Sequence, residues 1–179
     1  MMVQISRPRV RDGGKTWGNI ALRGVTEAAF KVHRTVQPTG RMFRAGAQEV
    51  IVGMAAAQQF AGLNIDDTLE LGYGNNRHYT VVGYFTADKG PAESEVWGYL
   101  PSLMNAYNRT MYSAASLRLK DGADPQKVIG LIEGPAIQLT AQTEAQYWQT
   151  QSASINTYLR ITRVLVAVMC LAAIFSIAN

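Results

Sequence analysis

Residues 13–16 read Gly-Gly-Lys-Thr, the ending of a phosphate-cradling nucleotide loop. Such a loop needs a glycine five positions ahead of Gly14 and an apolar strand leading into it, so that backbone N–H groups converge on the phosphates. Arg9 occupies that position and no such strand precedes it, which excludes nucleotide binding at this place. A serine nucleophile on a sharp strand-to-helix turn would be marked by Gly-x-Ser-x-Gly, and the chain contains none. His33 and His78 lack a second ligand type at helical spacing, so they do not make a metal site. Glu49, Glu70, Glu93 and Glu95 stand singly, without the pairing that general acid and base work requires. Asp66 and Asp67 precede a strand-like run and read as turn formers. Trp97, Tyr99 and Tyr107 have two uses, a groove wall or core packing, and packing is the commoner. No catalytic residue, cofactor site or metal site is expected.

The elements that position these residues alternate between short strands and short helices. Residues 19–25 are strand-like, and Thr26 heads a short helix reaching Val32. A β-branched run at 48–53 passes at Gly53 directly into an Ala- and Gln-rich helix closed by Gly62. Residues 68–73 and 77–86 read as a hairpin turning at Gly74, Asn75 and Asn76. A strand at 94–99 is followed by a helical turn opened by Pro101. Beyond Tyr112 the pattern becomes strand (113–120), helix from Asp124 and Pro125 to Glu133, and strand (137–141). The fold class is therefore α+β, a small mixed sheet with a strand-helix-strand unit.

Thr143 and Gln146 form a capping box, after which neither Gly nor Pro interrupts the chain up to Asn179. One long helix is expected, leaving the domain near Tyr147 and Trp148 and entering a membrane near Val164, with Tyr158 and Arg160 at the interface. The membrane-spanning candidates are Val164, Leu165, Val166, Val168, Met169, Leu171, Ile174, Phe175 and Ile177. The uncharged run of about 15 residues reaches roughly 22 Å as a helix, short of a bilayer core of about 30 Å. The expectation is a truncated span, hence a fragment. Cys170, the lone cysteine, lies within that run and packs as a small hydrophobe. The net charge of +4, from 17 basic and 13 acidic residues, is scattered rather than striped. It points to no nucleic-acid partner and suits a solvated or headgroup-facing surface.

Several stretches together resemble the extracytoplasmic domain of ABC transporter permeases of the macrolide-exporter and FtsX-like (MacB/FtsX-like) superfamily. They are ALRGVTEAAF at 21–30, TGRMFRAGAQEVIVG at 39–53, a helix ending QQFAGL, YTVVGYF at 79–85, SEVWG at 94–98, SLRLKDGADPQKV at 116–128, and the apolar run from Val164. The resemblance implies an extracytoplasmic domain over 1–142, a connecting helix over 143–163 and a truncated transmembrane helix over 164–179. It also implies a cytoplasmic ABC ATPase subunit, a second permease copy and a lipid bilayer as partners, with a periplasmic adaptor as a further one. Location at the cytoplasmic membrane and a role in export or envelope mechanotransmission follow. The first membrane helix, the opening strand-helix-strand and the last two helices of that family have no counterpart here. The alternative is a membrane-tethered binding or assembly module that works without an ATPase.

Overall fold

A computed structural model of the chain describes residues 1–147, 149–150 and 161–170. They divide into two compact units, Met1–Arg118 and Leu119–Asn179.

The first unit is built on one mixed sheet. In chain order its elements are β1 (Met2–Pro8), β2 (Trp17–Val25), α1 (Ala29–Val32), β3 (Gln37–Gly40), β4 (Glu49–Gly53), α2 (Met54–Gln59), β5 (Thr68–Leu71), β6 (Arg77–Thr86), β7 (Glu95–Tyr99) and α3 (Leu100–Ala106). The strands lie in the order β1-β2-β7-β4-β6-β3, and β5 also pairs with β6. β5 runs beside residues 77–80 of β6 and β3 beside residues 83–86, so the two share one edge in tandem. β2 with β7 and β4 with β6 are parallel, and every other pairing is antiparallel.

Alternation along the strands builds a core on each face of the sheet. One core joins Ile20, Leu22, Val50, Val52, Leu69, Leu71, Tyr79 and Val81 with Ala56 of α2 and Leu100 and Leu103 of α3. The other joins Val25, Ile51, Phe85 and Trp97 with Val36 and Phe43, and Phe30 of α1 packs against it. β6 serves both through a bulge. Val50 lies opposite Val81 and Ile51 opposite Gly83, leaving Val82 as the extra residue. Tyr79 and Val81 therefore enter the first core, while Val82 and Phe85 enter the second.

The hairpin, the strand-to-helix passage at Gly53 and the helix after Tyr99 form where expected. Thr26 acts differently from expectation. Its carbonyl accepts the Ala29 N–H, and Ala28, already in helical conformation, holds the cap position without a side-chain bond. β1 and β3 were not expected at all. β3, QPTG, carries no apolar signal, and β1 alternates only through Val3 and Ile5 before Pro8.

In the second unit, α4 (Pro125–Glu133) starts as expected, the Asp124 carboxylate accepting the Gln126 N–H at 2.9 Å. The capping box also forms: Gln146 N–H donates to the Thr143 hydroxyl, and Thr143 N–H donates to the Gln146 side chain. The flanking strands do not form. Residues 113–120 and 137–141 join no ladder among the described residues, and Leu117 and Leu139 are exposed. Alternation supplies a strand with a face, but a ladder also needs a partner edge.

Candidate functional site

Two buried carboxylates anchor the sheet, and neither stands alone as the sequence suggested. Glu49 opens β4, where its side chain turns back toward the loop that follows β3. It accepts hydrogen bonds from Arg41 Nη1, from the Arg44 backbone N–H and from Arg44 Nη2, each at 2.9 Å. Glu95 opens β7 and receives both Nε and Nη2 of Arg23 at 2.6 Å, together with the Trp97 indole N–H at 2.7 Å. This forked Arg23–Glu95 contact spans neighbouring strands, since Arg23 and Trp97 are register partners.

Arginine and backbone or indole N–H donors occupy both carboxylates, which makes them clasps between neighbouring segments. The Arg41 side chain, chief among the donors, holds Glu49 down at about 2 against an ordinary 4.5. Backbone N–H groups of Ala87 and Lys89 likewise lower Glu93. A depressed carboxylate pKa stabilises the fold above the unfolded value and loses that contribution as pH falls through the folded one. Stability is thus expected to drop between pH 4.5 and 2. Glu49→Gln should remove on the order of 2 kcal/mol of that dependence, an amount discounted because solvent reaches both arginines. Urea denaturation of both forms across this pH range measures it, and Glu93 and Asp12 supply the slope that remains in the variant.

The other sequence candidates fall into separate places. Residues 13–16 lie in the β1–β2 connection, where Asp12 accepts the Thr16 N–H and hydroxyl, and they lead into a strand rather than the helix a phosphate loop requires. His33 is half-buried, its ring 6.2 Å from that of Trp97. His78 is exposed on β6 opposite Glu70. Asp66 takes a left-handed conformation and Asp67 accepts the Asn64 N–H, so both form a turn as expected. Trp97 is core. Among the described residues no group of three or more His, Cys, Asp and Glu could hold a metal ion.

Tyr107 does line a cleft of about 430 Å³, with residues 4–7 of β1, Trp17, Glu70 and Asn75. Trp17 is largely exposed there. Burial lowers the pKa of Arg7, with the nearby Glu70 and Asp67 acting in opposition. Tyr107 is the one wall residue named as such from the sequence; the other walls come from strands far apart in the chain and were not foreseen.

Of the membrane-spanning candidates, Val164, Leu165, Val166, Val168 and Met169 belong to a helical stretch, 161–170, on which they are all exposed. Leu171, Ile174, Phe175 and Ile177, like Trp148, Tyr158 and Arg160, lie outside the described residues. No helix among the described residues is long and apolar enough to cross a membrane. Comparison with curated proteins finds no match. Comparison with protein families matches residues 1–134 to the MacB-like periplasmic core domain.

Proposed function

The chain belongs to the family of MacB-like periplasmic core domains, and from that membership we propose that it is the extracytoplasmic part of an ABC transporter permease subunit. The match over residues 1–134 carries the proposal. The chain sits at the cytoplasmic membrane, with the helix that contains Val164, Leu165, Val166, Val168 and Met169 entering the bilayer. Exposure of apolar side chains all round residues 161–170 supports lipid as their surroundings. A cytoplasmic ABC ATPase is the motor, a second permease copy completes the unit, and the helix begun at the Thr143 capping box passes movement between membrane and domain. The domain itself couples and contacts; it does not catalyse.

Topology tests this directly. Tyr73, exposed in the hairpin loop, is replaced by cysteine in a Cys170→Ser background, and intact cells are treated with a membrane-impermeant maleimide. Labelling before lysis is expected; labelling only after lysis overturns the proposal. Co-purification in detergent with a cognate ABC ATPase is expected as well. Surface labelling without any ATPase would favour the tethered module.

A further inference from the structure

We propose that the cleft between β1 and β5 is a seam that binds an extended peptide segment of a partner protein as an added strand. This goes beyond the transporter reading and does not depend on it.

Ladder parity carries the inference. Gly24 N–H donates to the Met1 carbonyl and Arg9 N–H to the Thr16 carbonyl, both at 2.9 Å. In an antiparallel pair, bonded and non-bonded positions alternate, so the odd residues of β1 face β2. The even residues, Gln4 and Ser6, turn their N–H and C=O away from the sheet. Pro8 has the same parity and lacks a donor, as suits a strand with an open edge. On β5, Val81 N–H donates to the Asp67 carbonyl, which fixes Leu69 and Leu71 as the residues bonded to β6. Thr68 and Glu70 then present their backbone to the other margin.

Residues 4–7 and Glu70 line one cleft, so the two margins face the same space. The seam is zipped at its far end, where the Pro8 carbonyl accepts the Ala61 N–H and Arg9 bridges to Phe60. It stands open beside Gln4, Ser6 and Glu70. Ser6 and Gln4 are turned out of it onto Asn19 of β2, and Arg7, whose charge lies near Glu70 and Asp67, is the β1 side chain that reaches toward the far wall. Backbone donors and acceptors on both walls select a ligand with donors and acceptors along both of its own edges, which is a peptide strand. Residues 4–7 extend about 10 Å, room for three or four ligand residues. β1 and β5 run in opposite directions, so the guest lies antiparallel to one and parallel to the other. Ile5 meets its inward side chains, and Trp17 and Tyr107 flank the mouth.

The probe is a displayed library of random short peptides, selected on the full chain in detergent micelles and then synthesised. Saturable binding is expected. Ser6→Pro should weaken it about tenfold by deleting an edge donor outside the β1–β2 ladder, whereas Ser6→Ala should leave it unchanged. Methylating alternate peptide nitrogens should weaken binding in either register, because each set of N–H groups faces one wall of the seam. This series decides the matter by itself if Ser6→Pro fails to fold. Three results overturn the proposal: no peptide retained beyond empty micelles, a selected peptide indifferent to both Ser6→Pro and N-methylation, or a peptide-free homodimer that Ser6→Pro dissolves.

Discussion

Trp97→Ala is expected to lower the stability of the first unit by about 3–5 kcal/mol, the cost of emptying a large aromatic site in a packed core. Trp97 is 2% exposed, with ring centres of Phe85 and Phe30 at 4.7 and 5.7 Å. It also donates its indole N–H to Glu95, the carboxylate already gripped by Arg23. The alanine variant therefore removes packing and a charge-assisted hydrogen bond together. Trp97→Phe separates the two, because a benzyl ring keeps most of the volume and only the donor disappears. It should cost about 1–2 kcal/mol, since Arg23 still neutralises the carboxylate. Urea unfolding followed by circular dichroism measures both. Equal losses from the two variants would show that the hydrogen bond, not the ring, dominates.

Gly53→Ala should be almost as damaging, on the order of 3 kcal/mol, although it adds only one methyl group. Gly53 ends β4 and caps α2 in an extended conformation that alanine adopts freely, so backbone strain is not the reason. The reason is space. A Cβ there would overlap the carbonyl oxygen of Glu93, in the short 3-10 turn Pro91–Ser94 that crosses the junction. Backbone atoms cannot swing aside as a flexible side chain would. The turn is itself held by Glu93, which accepts the Ala87 and Lys89 N–H groups. Thermal unfolding of Gly53→Ala beside Gly46→Ala gives the contrast, since a methyl group at Gly46 meets nothing within 4 Å. At Gly46 the left-handed backbone alone sets the penalty, about 1 kcal/mol.

What the amino-acid sequence disclosed was whatever depends on neighbours along the chain. The turn at Asn75, the Asp124 cap, the Thr143–Gln146 box and the passage from β4 to α2 all rest on a few adjacent residues, and all appear. Pairings between distant segments were not legible. Arg23 and Glu95 lie 72 positions apart and meet only because β2 and β7 run in parallel. The Arg41–Arg44–Glu49 cluster is nearly local, yet its geometry depends on a loop folding back over the start of β4. Residues 113–120 show the opposite error. Their Leu117 and Leu119 alternate as a strand should, but no described edge receives them. β3 escaped notice because an edge strand of Gln, Pro, Thr and Gly is recruited by β6 rather than by any preference of its own.

The displaced residue at Val82 divides β6 into two lengths, each with its own neighbour and its own hydrophobic layer. β5, one lip of the open seam, hangs from the first length; β3, leading into the arginine-pinned loop, hangs from the second. They behave as two leaves on a single spindle. The ionic clasp is not remote from the β5 leaf, for Glu49 lies opposite Thr80, the same residue that Thr68 of β5 pairs with.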